Sequence, residues 1–244
     1  MKKRKITLNW VQFFNKATAA ILNTVQHCAL CDKPSKHRIC HNCSAYFSVA
    51  QYTCQTCAVP LKHHAMYCGH CLKSPPHYDV SYSPYLYQAP LSHLISDFKH
   101  KGHLFVGKGL GELFYTSIRS YYCQQHLPLP DLIAPVPLHW KKQWQRGFNQ
   151  SAFLGNLLAK ELNITLFSHT KRRHSTKSQK KLSRKERLNN INDDFVITRK
   201  LSGKSIAIID DVMTTGSTVN NFAKALKQAG AKTVAVWALA RTPP

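Results

Sequence analysis

Four Cys-x-x-Cys pairs crowd into 44 residues near the start of the chain: Cys28/Cys31, Cys40/Cys43, Cys54/Cys57 and Cys68/Cys71. A two-residue gap turns both thiolates of one tight turn toward the same ion, at about 2.3 Å for zinc, and a pair of such knuckles completes a tetrahedral site. The pattern therefore predicts about two structural Zn2+ ions. Taken in chain order, Cys28, Cys31, Cys40 and Cys43 share one ion, and Cys54, Cys57, Cys68 and Cys71 share the other. Spacing alone also permits an interleaved scheme, first knuckle with third. Redox chemistry normally uses a single Cys-x-x-Cys at a strand-to-helix junction, which this regular series does not fit. His27, His37, His41, His63, His64 and His70 flank the knuckles and read as solvated neighbours, because thiols already fill every ligand position. Cys123 stands apart. Reduced thiols at this density predict a cytoplasmic location.

The second segment able to do chemistry is IAIIDDVMTTGST, residues 206–218. An apolar strand gives way to two carboxylates, Asp210 and Asp211, and then to a loop of small residues that opens a helix. Such a loop offers backbone N–H groups and hydroxyls to a phosphate at the positive end of the helix dipole. Gly216 lets the backbone approach the anion, and Thr214, Thr215, Ser217 and Thr218 add hydroxyls. The carboxylates, at the carboxyl end of the strand, suit sugar hydroxyls beside that phosphate. The loop lacks the Gly-Lys-Ser/Thr ending of a nucleotide-triphosphatase P-loop. Asp131, Glu161 and Glu186 are further carboxylates that read as surface groups.

The elements that must position these groups follow from periodicity. Residues 1–26 carry Trp10, Phe13, Phe14, Ala17, Ile21 and Val25 at helical spacing, predicting an amphipathic helix. Asn9, Gln12, Asn15, Lys16 and Asn23 interrupt the apolar run that a signal peptide needs. Its apolar face is expected to pack on the rest of the chain; the second reading is contact with a membrane surface. Residues 27–75 form the zinc module, poor in long apolar runs, as expected where metal replaces a hydrophobic core. A polar Lys-Ser-Pro-Pro-His stretch, residues 73–77, then leads into an alternating domain, residues 76–244. There 78–87 reads as a strand or hairpin, 91–99 and 104–122 as helices, and 132–136 as a short buried strand. Residues 151–162 form a helix capped by Asn149 or Ser151; 205–209 and 233–239 are buried strands around a helix at 219–228. Buried strands separated by helices predict a mostly parallel α/β sheet flanked by helices.

Composition adds a partner. The chain of 244 residues holds 34 Lys and Arg against 11 Asp and Glu, a formal charge of +23. Its 43% hydrophobic content excludes wholesale disorder, and no apolar run of about 18 residues exists to span a membrane. An excess of cations this large points to polyanions, nucleic acid first; solubility and anionic lipid are the blander readings. Lys141, Lys142 and Arg146 interleave with Trp140, Trp144 and Phe148, offering charge for phosphates and flat faces for bases. Core packing is the competing role for those tryptophans. Residues 171–187 contain nine Lys or Arg against one Glu, among them Lys180, Lys181, Arg184, Lys185 and Arg187. Such a loop either tracks a nucleic-acid backbone or stays a solvated charged segment.

The acids and the Thr-Thr-Gly loop resemble the motif by which type I phosphoribosyltransferases bind 5-phosphoribosyl 1-pyrophosphate (PRPP). The resemblance implies that Asp210 and Asp211 hold the ribose hydroxyls and that the following loop holds the 5′-phosphate. It extends over Val212, Met213, Thr214, Thr215, Gly216, Ser217 and Thr218, with Mg2+ bridging pyrophosphate and ribose oxygens. More narrowly, the chain is similar to the ComF family (ComFC or GntX type), which joins a zinc ribbon to a phosphoribosyltransferase-like domain. PVPLH at 135–139 through RGFNQ at 146–150 resembles the pyrophosphate loop and implies roles for His139, Arg146, Gly147, Asn149 and Gln150. QKKLSRKERLNN at 179–190 is similar to the family's basic flexible loop.

The resemblance implies a cytoplasmic protein of natural transformation or DNA utilisation, acting on incoming single-stranded DNA beside uptake or recombination proteins. Two other classes are an active phosphoribosyltransferase with an unidentified acceptor, and an adaptor in a DNA-processing complex. A glutamine amidotransferase is disfavoured because position 2 is Lys rather than a cysteine nucleophile.

Overall fold

A computed structural model describes residues 26–138, 144, 146–172 and 195–244. Around the knuckles regular structure is sparse: β1 (Gln26–His27) pairs antiparallel with β2 (Pro34–Ser35), and two single-turn helices follow, α1 (His41–Ser44) and α2 (Gly69–Lys73). Helices this short do not persist alone, since nucleation outweighs one turn of hydrogen bonds. Here the cysteines start them. Cys40 and Cys68 lie in extended backbone, and their sulfurs accept from the N–H groups of Cys43 and Cys71 as N-caps.

The α/β part runs β3 (Val80–Tyr82), β4 (Tyr85–Leu86), α3 (Leu91–Lys101), α4 (Leu104–Gln124), β5 (Leu132–Pro135), α5 (Gln150–Leu162) and β6 (Thr165–Leu166). It continues with β7 (Thr170–Arg172), β8 (Phe195–Ile197), β9 (Ser205–Met213), α6 (Ser217–Gln228) and β10 (Thr233–Arg241). The main sheet has the order β3-β10-β9-β5-β6, with β4 also beside β10, and every pairing in it is parallel. A separate antiparallel ladder joins β7 to β8. The centre of the sheet is dry: residues 206–209 of β9 and 236–240 of β10 are each at most 1% exposed. Burying both faces of these strands removes their apolar side chains from water at about 1.5–3 kcal/mol per large residue. One face is covered by α3, α4 and α5, the other by α6.

The zinc module grips both faces. Cys28, Ile39, Cys43 and Phe47 join the core of the α3–α4–α5 face, while Cys54, Cys57 and Cys71 join that of the α6 face. Gly109 allows the first contact: a Cβ there would lie 2.9 Å from Arg38 Cβ, so only glycine lets α4 approach so closely.

Three local expectations need correction. The strand expected at 205–209 runs on to Met213, because Asp210 stays in register with Ala238 and Val212 with Ala240 of β10. Residue polarity changes before the ladder ends. The aromatic stretch 78–87 does not form a hairpin; β3 and β4 both lie parallel to β10, and Pro84, which has no N–H to donate, separates them. The helix expected at 219–228 starts earlier, at Ser217. Among the described residues no helix is long and apolar enough to cross a membrane. The expected N-terminal helix over 1–26 falls outside them, apart from residue 26.

Candidate phosphoribosyl site

The parallel pairing of β9 with β5 and β10 brings its carboxyl end, and with it the two acids, beside α3 and α5. Asp210 is half-buried, and its Oδ1 accepts from Ser151 Oγ at 3.0 Å and from the Asp211 N–H at 2.9 Å. Asp211 is buried; its Oδ1 accepts from the Val212 N–H at 2.8 Å. Lys99 Nζ stands 2.8 Å from Asp211 Oδ2, an ion pair whose direction misses hydrogen-bond alignment. Burial first and the Asp211 charge second push the Asp210 carboxyl up to about 7, against the pull of Ser151, the Asp211 N–H and Lys99. Two carboxylates so close resist joint ionisation, which a cation or hydroxyl donors would relieve.

Lys99 was not singled out in the sequence, and Ser151 was read only as a possible helix cap, a role that Asn149 takes. Lys99 follows Ile95 by four positions in α3, on the stripe that Leu91 and Ile95 bury. A lysine on a buried stripe was the available signal.

The loop begins where β9 ends. Gly216 has φ +79°, a left-handed turn that favours glycine, and a Cβ there would meet only the flexible end of Met213, at 2.9 Å from Cε. Thr214, Thr215, Ser217 and Thr218 are exposed, and Thr215 Oγ1 lies 2.9 Å from Ser217 Oγ. Gly216, the N-cap of α6, has no side chain to cap it; Thr215 Oγ1 accepts from the Ser217 N–H at 3.3 Å, which holds the loop against the start of the helix.

The adjoining segment contributes unevenly. Asn149 caps α5 by accepting from the Ala152 N–H at 3.2 Å and donates to the Val136 carbonyl at 3.0 Å, which fixes the loop after β5. Gln150 is 1% exposed; its Oε1 accepts from Arg146 at 3.2 Å, and its Nε2 has no partner among the described residues. Gly147 takes φ +76°. Trp144 is 89% exposed, which removes core packing as its role. His139, Trp140, Lys141, Lys142, Lys180, Lys181, Arg184, Lys185 and Arg187 lie outside the described residues, as does Glu186. Glu161 is exposed. Asp131 is structural: it accepts from the Ser205 hydroxyl and N–H at 2.7 and 2.8 Å and from Lys204 at 3.2 Å, joining the starts of β5 and β9.

Sequence reasoning also missed Arg241. It is 7% exposed, and its guanidinium donates to the carbonyls of Cys57 at 3.0 Å, Met213 at 2.9 Å, Thr242 at 3.1 Å and Thr214. One buried cation thus holds the phosphate loop and the second zinc module together.

The cysteines gather in chain order, not interleaved. Cys28, Cys31, Cys40 and Cys43 form one group, Cys54, Cys57, Cys68 and Cys71 the other, with sulfurs in each within 4.8 Å of one another. N–H groups of Cys40 and Cys68 donate to Cys28 and Cys54 sulfurs, each at 3.3 Å, which favours the thiolates that zinc requires. Both groups fit a structural zinc site.

Residues 149–243 match the phosphoribosyl transferase domain model, and residues 22–72 match the double zinc ribbon domain model. Fold and site thus define a phosphoribosyltransferase-type domain carried with a double zinc ribbon. Over 211 residues the chain is 36% identical to "Competence protein F" of Haemophilus influenzae, covering 85% of this chain and 92% of that one. It is 36% identical over 219 residues to "DNA utilization protein YhgH" of Salmonella typhi, covering 88% and 96%. To "Competence protein ComFC" of Bacillus subtilis it is 26% identical over 207 residues, covering 81% of each. The chain belongs to the ComF family.

Proposed function

We propose that this chain is a DNA-uptake or DNA-utilisation protein that binds single-stranded DNA in the cytoplasm and carries a PRPP site at the end of β9. The observation that carries the ligand reading is the sequence of groups along one strand and loop: two adjoining carboxylates, then a glycine-hinged hydroxyl loop that opens a helix. Asp210 and Asp211 accept the ribose hydroxyls, and residues 214–218 surround the 5′-phosphate with N–H and hydroxyl donors. Lys99 neutralises Asp211 through their 2.8 Å ion pair. The unpartnered Gln150 Nε2 and the adjacent Arg146 are donors for the pyrophosphate. Asp210 and Asp211 are the carboxylates that would hold Mg2+ with the ligand, and the ion would supply charge neutralisation there.

The DNA reading is supported by the relatives' names, the charge of +23 and the exposed Trp144 beside Arg146. Transfer to an unidentified acceptor is the second reading; Asp210, raised to about 7, lies where a general base works best. The test is fluorescence anisotropy of a labelled single-stranded oligonucleotide across a salt series, with and without PRPP and Mg2+. The expected result is salt-steep binding that PRPP alters. Absence of binding at physiological salt would overturn the DNA reading, and absence of PRPP heat by calorimetry the ligand reading.

A further inference from the structure

We propose that the cavity between the second zinc ribbon and the phosphate loop receives the penultimate nucleoside of a nucleic-acid strand whose 3′-terminal sugar lies over Asp210 and Asp211. This rests on the reading above, that residues 214–218 hold a 5′-phosphate. The cavity measures about 490 Å3, within the range of ordinary ligand pockets. Val59, Pro75, Pro76 and Tyr78 give it flat apolar walls, and Thr215 and Ser217 of the loop form its polar rim.

Its position is the main argument. Asp210, Asp211, Lys99 and Ser151 do not line it. Lys99 and Ser151 come from α3 and α5 on one face of the sheet. The cavity belongs to the other face, where Tyr78, Cys57 and Cys71 share a core with Phe222 of α6. Thr214, Thr215, Gly216 and Ser217 line the cavity and follow the two acids in the chain, so a phosphate seated in this loop has the acids on one side and the cavity on the other. A phosphomonoester such as PRPP's 5′-phosphate carries carbon on one side only; a phosphodiester carries it on both. Cys57, Cys68 and Cys71 of the second zinc group also line the cavity, with Arg241 as a cation on the same wall, and proline and tyrosine rings suit the face of a base. The sugar must be terminal, because an internal sugar has its 3′-oxygen esterified and cannot offer that hydroxyl to the carboxylates.

Calorimetry on the zinc-loaded full chain tests this with ribose 5-phosphate, thymidine 5′-monophosphate, the dinucleoside monophosphates TpT and UpU, and TpT bearing a 3′-phosphate. One dinucleoside is expected to bind about tenfold tighter than the mononucleotide, the gain of one stacked base, and the tighter of TpT and UpU identifies a DNA or an RNA end. The 3′-phosphate should abolish the gain. Ser74, exposed on the cavity's wall, gives variants that need not disturb folding. Ser74→Trp fills the space, and Ser74→Glu places a negative charge there. Both should remove the gain, keep the zinc content and leave ribose 5-phosphate binding unchanged. If ribose 5-phosphate binds but neither dinucleoside gains, or the gain survives both variants, the cavity assignment is wrong. If ribose 5-phosphate does not bind, the reading of the loop itself fails.

Discussion

The Nε of Arg241 donates to the carbonyl oxygen of Cys57 at 3.0 Å. This bond joins the last residue of strand β10 to a cysteine of the second zinc group. The same side chain donates to Met213 and Thr214, at the start of the phosphate loop. The metal module is therefore tied to the loop after β9 through one planar cation with donors on several edges. Lysine, a point donor, cannot reproduce that fork.

Replacing the residue by an apolar one of similar length exposes this dependence. Arg241→Met leaves buried carbonyls without donors and is expected to lower stability by about 2–4 kcal/mol, measured by denaturant unfolding. Ribose 5-phosphate affinity should fall by about tenfold while zinc content holds, since no ligand sulfur is touched. Wild-type affinity in a folded variant would show that the loop does not depend on Arg241.

Metal analysis should return about two zinc ions per chain. Cys28 and Cys43 share a core with Trp237, and Cys54 and Cys71 share one with Phe222, so the metal supports both faces of the sheet. A strong chelator is expected to lower the melting temperature of the whole chain in one calorimetric transition. A main transition that stays in place after zinc is stripped would contradict this coupling.

The acids give a pH dependence with a definite sign. Asp210 is raised to about 7, so folding favours its neutral form; that contribution is complete below the unfolded carboxylate range and is lost as pH rises through about 7. Asp210→Asn is therefore expected to melt a few degrees higher than the wild type at pH 8 and not at pH 4. Binding runs the other way. Sugar hydroxyls and Mg2+ need the carboxylate, so PRPP affinity should rise with pH and level off above about 7. Asp210→Asn combined with Asp211→Asn should abolish it with the fold intact, and unchanged affinity by calorimetry would sink the site assignment. Lys99→Met removes a charge that lowers Asp210, and should move the binding midpoint upward.

Much of this was legible because the chemistry is local in sequence. Each cysteine ligand has a partner three positions away, and Asp210 through Thr218 form one continuous stretch, so spacing carried both. Lys99 and Arg241 were not legible, for the same physical reason. Each reaches its partners across the sheet: Lys99 meets an acid over a hundred positions later, and Arg241 a carbonyl 184 positions earlier. Polarity also misplaced the end of β9, since backbone pairing continues past the residue where side chains turn from apolar to acidic.

Trp144 offers the most direct view of DNA engagement. It is 89% exposed, so removing it takes nothing from the core. Trp144→Ala should keep the wild-type melting temperature and PRPP affinity, yet weaken single-stranded DNA binding by about 1–3 kcal/mol, the worth of one base–aromatic stack. Trp237 is 1% exposed and donates to the Tyr122 hydroxyl at 3.1 Å, out of reach of a strand, and the difference between wild type and Trp144→Ala separates Trp144 from Trp10 and Trp140. An oligonucleotide should quench tryptophan fluorescence in the wild type and quench it less in Trp144→Ala. Equal quenching and equal affinity in the two proteins would mean that the strand passes elsewhere, and would leave neutralisation of Lys180, Lys181, Arg184 and Lys185 as the next substitution to read, through the slope of affinity against salt.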